Sequence, residues 1–269
     1  MMDTVFNDEP ARTEWRYELL GLLESNEAPR VCTTGELAQL VRRVRPRANA
    51  DTVHNAIGGL MKARALQKVS RGLYLNRRSR PAVEAAEAAQ HIRQGAVVSL
   101  ESVLGECGFL NNPPAIVTAV VPQRPDSVPR VGSVKTSGGQ VLRFNALPPR
   151  FFPSSQEEAR LLLQAGRHCP VAKPEVAALH WLHLALSPRS SMRMPPQDVD
   201  FSVFDAELLK ELAWRWELSR ALEDWEEQIK LAGDIQEPSQ PIAPVSEEHR
   251  QRGLEARQRL MARRKINTT

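Results

Sequence analysis

Long apolar runs are missing from this sequence. None approaches the ~18 uninterrupted residues that a membrane-spanning helix needs, and MMDTVFNDEPAR at the N-terminus lacks the basic-then-apolar order of a secretory signal. A cytoplasmic protein is expected. Cysteine is scarce as well: Cys32, Cys107 and Cys169 are odd in number, far apart and form no CxxC pair. That argues against both a disulfide framework and a structural zinc site. Walker A, HExxH and GxSxG patterns are absent, so neither an enzyme nor a cofactor is expected. What is present is an ordinary globular composition, 42% hydrophobic and 25% charged, which excludes wholesale disorder. A chain of 269 residues is long enough for two modules.

The net charge of +4 hides an asymmetry. Residues 12–80 hold 14 Lys and Arg against 6 Asp and Glu, a local +8, and the remaining 200 residues balance to −4. A basic N-terminal module on a mildly acidic remainder is the electrostatic footprint of a polyanion-binding domain.

Hydrophobic spacing divides the chain. Residues 1–11 read as a loose leader. From Thr13, the positions Trp15, Leu19, Leu22 and Leu23 predict a helix ending near Asn26. Thr33 and Glu36 in TTGELAQLVRRV have the spacing of a capping box, opening a second helix that Pro46 breaks. Asp51 is expected to cap a third, with Val53, Ile57, Leu60 and Met61 as its buried stripe. ALQKV and GLYLN then read as two strands around the turn Ser70-Arg71-Gly72.

Three helices and a small hairpin make residues 12–80 a predicted winged helix-turn-helix, mainly α with a small β wing. A connecting helix, Val83 to Arg93, is placed within residues 81–95. Residues 96–232 mix strands and helices without βα alternation, predicting an α+β domain. In it Ser99 is expected to cap a helix stopped by Gly108, AIVTAVVP to be a strand, and Ser137-Gly138-Gly139 to turn a hairpin. EEARLLLQAG fits helix and strand equally. Pro174 and Pro188 bracket one helix, and Asp205 is expected to cap a long one whose stripe includes Leu208, Leu212, Trp216, Leu222 and Trp225. Residues 233–269 read as a proline-bearing linker and a basic tail, with 7 Lys and Arg against 3 Asp and Glu over residues 246–265.

A recognition helix must offer polar side chains to base edges in the major groove. Thr52, His54 and Asn55 occupy the first turn of the third helix, where such contacts are made, and Asn55 is the best adenine-reading candidate. Lys62 lies on the same outer side. Lys68, Arg71, Arg77 and Arg78 suit phosphates or a minor groove, and Arg42, Arg43, Arg45 and Arg47 flank the other side. The competing reading is a winged helix used only for protein contact. His180 and His183 lie three apart on one helix, with His168 and Cys169 upstream, but histidines on an apolar helix are commonly packing residues and no metal is expected. Asp198 and Asp200 in QDVDFSV resemble the paired carboxylates of nucleotidyltransferases, yet the glycine-bearing turn those enzymes need is missing upstream.

The order VCTTGELAQLV, VHNAIGGLMKARALQKVSRGLYL, VVSLESVLGECG and VAKPEVAALHWL resembles, over residues 15–225, the AbiEi-type antitoxins of bacterial toxin-antitoxin and phage-abortive systems. The resemblance rests on the wing turn Arg71-Gly72 with Tyr74, on SLESVL, and on the helix from Pro174 with Glu175. Where the family often has a Lys and an Asp in that last helix, this chain has Val176 and His180. The resemblance implies an N-terminal winged helix that represses its own operon by binding inverted repeats in duplex DNA. It also implies a C-terminal domain that supports neutralisation of a partner nucleotidyltransferase toxin. A transcriptional regulator whose second domain senses a ligand is the alternative.

Overall fold

The apolar stripe of residues 15–23 folds as a helix, α1 (Ala11–Glu24), with Leu19 and Leu23 buried. The structure, a computed structural model, describes residues 11–110, 115–123, 131–188, 190–196 and 201–235, with the backbone alone at 11–13 and 232–235. The leader up to residue 10, the pair Asp198 and Asp200, and the linker and tail from residue 236 lie outside the described residues.

A short strand, β1 (Val31–Thr33), leads into α2 (Thr34–Val44). Thr33 Oγ1 accepts from the Glu36 amide at 3.2 Å and Glu36 Oε2 from the Thr33 amide at 2.7 Å, the capping box expected of this spacing. The next helix, α3 (Ala50–Lys62), is capped by Asn49 rather than Asp51. Asn49 is extended and its Oδ1 accepts from the Thr52 amide at 2.8 Å, which moves Asp51 into the first turn, where a carboxylate suits the helix dipole. Leu37, Leu40 and Val41 of α2 meet Val53, Ala56, Ile57 and Leu60 of α3 and the two leucines of α1 in one core. Met61, expected in that stripe, is 37% exposed and Ala56 takes its place, because the buried arc of α3 runs 53-56-57-60 and Met61 falls on its rim.

The hairpin follows as β2 (Leu66–Ser70) and β3 (Leu73–Asn76), turned at Gly72, whose φ of 74° an L side chain rarely adopts. β3 pairs antiparallel with both neighbours, in the order β1-β3-β2. One face of this sheet, with Cys32, Leu66 and Tyr74, joins the helical core. The other, with Val31, Val69, Leu73 and Leu75, buries against Val83 and Ala88. Asn76 is fully buried, and its Nδ2 donates to Leu23 O at 2.8 Å, tying β3 to the end of α1.

The connecting helix expected from Val83 to Arg93 is a 3-10 turn (Ala85–Ala88) followed by a single helical turn, α4 (Ala89–Ile92). Its start is fixed by Arg30, which reaches Glu87 and the Pro81 and Ala82 carbonyls, so the segment begins as a clasp on β1's approach rather than as a free helix.

Beyond it lie β4 (Val97–Val98), α5 (Glu101–Glu106), β5 (Ile116–Pro122), β6 (Gly132–Lys135) and β7 (Val141–Leu147). They form a second sheet of order β4-β5-β7-β6. β5 runs parallel to β7, and the other pairs are antiparallel. A central strand is covered on both faces, which accounts for the run IVTAVV, apolar but for Thr118, whose hydroxyl donates to Ser99 O at 2.6 Å. Ser99 does not cap α5: Leu100 is the cap residue, at φ 59°, and the Ser99 side chain is turned into the core toward His180. EEARLLLQAG resolves as helix, α6 (Gln156–Leu162), capped by Ser155. α7 (Pro174–Leu186) runs between its two prolines.

The long helix expected after Asp205 is two, α8 (Ala206–Arg215) and α9 (Ser219–Ile235). Asp205 does cap α8, accepting from the Glu207 and Leu208 amides at 3.1 Å. The break falls where Glu217 takes φ 60° and the Leu218 amide returns to Ala213 O at 2.7 Å, a closing turn of the Schellman type. It leaves Leu209 buried where Leu208 was expected.

The described residues therefore form a mixed α/β structure with an N-terminal helical region. Those up to Trp225 belong to one compact unit and those from Glu226 to another. Within the first unit the β6–β7 turn touches β2: the Ser137 amide donates to Lys68 O at 3.2 Å, and its hydroxyl donates to the same carbonyl. No helix among the described residues is long and apolar enough to cross a membrane.

Candidate nucleic-acid interface

Packing α3 between α1 and the hairpin leaves one broad face uncovered, bordered by a concavity on each edge, and the predicted site residues divide between them. On one side α2, α3 and the hairpin enclose an open groove of about 800 Å³. Arg42 from the last turn of α2, His54 from α3, Lys68 from β2 and Arg71 from the β2–β3 turn all line it. Four elements thus bring three cations and an imidazole to one concavity. Its floor is fixed by backbone: the Thr34 amide donates to Gly72 O at 2.9 Å, pinning the hairpin tip to the start of α2.

On the other side lies a smaller depression of about 220 Å³ between α1 and α3, lined by Trp15, Leu19, Leu20 and Leu60. Asn55 opens here. Thr52 is half-buried, and its hydroxyl donates to the capping Asn49 Oδ1 at 2.8 Å. Arg45 ends α2 with its guanidinium carbon 5.7 Å from the Trp15 ring centroid. Arg43, Arg47 and Lys62 are exposed and line neither concavity.

Arg77 and Arg78 are remote from the groove. They follow Asn76 at the far end of β3, three residues and about 10 Å from Leu73 beside the tip. There Arg77 Nη1 donates to Val83 O at 3.1 Å, and Arg78 is ion-paired with Glu24. Sequence reasoning missed Asp51, Gly58 and Met61 as groove residues. Their spacing with His54, at 51, 54, 58 and 61, is a helical face of its own, visible in the sequence once the buried arc is known.

The second half offers a buried polar cluster rather than an open site. His180 is fully buried, with Nε2 3.4 Å from Phe151 O and Nδ1 2.9 Å from Ser99 Oγ. A carbonyl can only accept, so Nε2 carries the proton and Nδ1 accepts from the serine hydroxyl. Burial pushes its pKa down to about 3, which keeps the ring neutral, and it stacks on Trp216 at a centroid distance of 5.8 Å. His183 packs on Phe151 instead, at 4.5 Å. Both ring nitrogens of His180 are committed, and no group of three or more His, Cys, Asp or Glu among the described residues is placed to hold a metal. Burial raises the thiol pKa of Cys32 to about 12 and of Cys169 to about 11, leaving both protonated and poor nucleophiles.

No protein-family model matches this chain, and no curated protein does. Among solved structures it is similar to the RV2827C protein from Mycobacterium tuberculosis, with a TM-score of 0.48 and 15% identity over 80% of this chain and 78% of that one. A likeness at that level carries no argument about function. The functional reading rests on the groove.

Proposed function

We propose that residues 12–80 form a winged helix-turn-helix that grips duplex DNA through the groove between α2, α3 and the hairpin, and that the chain is a non-enzymatic, AbiEi-like antitoxin and autorepressor. The observation that carries the DNA-binding part is the convergence of Arg42, His54, Lys68 and Arg71 on one open concavity. The local charge of +8 supports it, since cations facing phosphates gain affinity by releasing condensed counterions. The antitoxin part rests on the family resemblance: residues 96–232 support neutralisation of a nucleotidyltransferase toxin, and the operator is an inverted repeat upstream of the pair.

The test is genetic and biochemical together. A nucleotidyltransferase gene adjacent to this one is expressed with and without it, and a reporter is driven by the shared promoter. Toxicity relieved by this chain, with the promoter repressed, is expected. Relief of toxicity without repression removes the autorepressor; repression without any toxic neighbour leaves a plain transcriptional regulator.

A further inference from the structure

Of the first-turn candidates Thr52, His54 and Asn55, only His54 lines the groove. Once Val53, Ala56, Ile57 and Leu60 are buried, the helix keeps one continuous exposed face made of two adjoining arcs. One arc, Asp51, His54, Gly58 and Met61, looks into the groove together with Arg42, Lys68 and Arg71. The other arc carries Asn55 and Gly59, which open toward α1 beside Trp15. A duplex held by the groove cations lies nearest the first arc, and the side chains of that arc have the shortest reach to its base edges.

We infer that His54 and Met61 are the specificity-determining residues of α3, reading bases from the groove, and that Asn55 reads none. This rests on the DNA-binding reading above and deepens it. His54 is exposed, and its imidazole can donate to a purine N7 or O6 or accept from an exocyclic amine. Met61 is an apolar side chain left 37% exposed on a groove wall, the kind of group that packs on a thymine methyl. Between them Gly58 has open space where a Cβ would stand, so base edges can approach the helix closely. Asp51, at the helix start, repels phosphate and tolerates only a donor such as the cytosine amine. His54 and Met61 are seven residues apart, about 10 Å along the axis. With bases stacked at about 3.4 Å, they read positions about three base pairs apart.

The test uses the full-length chain and a pool of duplexes with a random core. The wild type selects a sequence, and binding to the selected and a scrambled duplex is then compared by fluorescence anisotropy. His54→Ala and Met61→Ala each lower the preference for the selected duplex, His54→Ala by roughly 5- to 100-fold. They change affinity for the scrambled one little, while Asn55→Ala leaves the preference intact. All three side chains are at the surface, and a thermal melt confirms that each variant is folded. A preference lost in Asn55→Ala but kept in the other two overturns the inference, and so does one kept in all three. Lys68→Ala and Arg71→Ala report on the reading beneath it, because they should weaken both duplexes alike. A wild type that selects no sequence, with binding indifferent to those two lysine and arginine changes, overturns the DNA-binding reading and this inference together.

Discussion

Arg30 grips Glu87, 57 residues further along the chain, through two parallel hydrogen bonds: Nε to Oε2 at 2.6 Å and Nη2 to Oε1 at 2.7 Å. Burial pushes the Glu87 carboxyl up, but the Arg30 guanidinium and the Glu84 amide outweigh it and hold the pKa below its ordinary value. A carboxylate with a depressed folded pKa adds stability above its unfolded value, near 4.3, that is lost as the pH falls through the folded one. Arg30→Ala strands a buried charge, and the expected loss at pH 7 is about 3 kcal/mol. Urea unfolding at pH 7 and at pH 3 should show a large penalty at the first and a smaller one at the second.

His180 makes stability pH-dependent over a different range. In the unfolded chain it takes a proton near pH 6.5, whereas in the folded protein its pKa lies at about 3. Between those values the unfolded state binds the extra proton, so stability falls as the pH drops from about 6.5, by up to ~1.4 kcal/mol per unit from this residue. His183, lowered by burial and by Arg150, adds in the same direction. His180→Gln should flatten the slope between pH 4 and 6; an unchanged slope would mean that another group sets it.

The cations are expected to divide by position rather than by charge. Arg42→Ala, Lys68→Ala and Arg71→Ala should each reduce the dependence of log affinity on log salt by about one ion. Arg78→Ala should not, because that guanidinium already serves Glu24 at the other end of β3. Salt titrations of duplex binding decide the matter.

Neighbouring glycines in α3 provide a paired comparison. Neither Gly58 nor Gly59 has a neighbour within 4 Å of an added Cβ, so alanine at either should stabilise the helix by ~0.5–1 kcal/mol. Gly59 faces the α1 depression and Gly58 the groove. Thermal melts should therefore rise for both variants, while specific DNA affinity falls only for Gly58→Ala.

Local chemistry explains which features were legible in the sequence. The Thr33–Glu36 capping box, the proline-bounded α7 and the Gly72 turn depend on neighbours in the chain and emerged as read. Features decided by distant partners did not. Ser99 has the spacing of a helix cap, but a histidine 81 residues away takes its hydroxyl. The apolar stripe from Leu208 to Trp225 reads as one helix because Glu217 carries no sign, in its own side chain, of the left-handed backbone that breaks it. At the groove, residue types revealed the charge but not the facing. Arg77 and Arg78 look like wing cations beside Arg71, and only the hairpin's short length places them at opposite ends of one strand.

Strand β2 ends the first sheet, and an edge strand with free carbonyls is a template for pairing with another chain. Here the Ser137 amide and hydroxyl occupy the Lys68 carbonyl, and Gln67 lies against Gly138. The second sheet thus acts as a stopper on the first one's open side. A fragment cut after residue 80 keeps every groove residue but loses that stopper, along with the Glu87 clasp on Arg30. Such a fragment should recognise DNA and yet self-associate through its bared strand, and its solubility should improve when a charge is placed at Gln67.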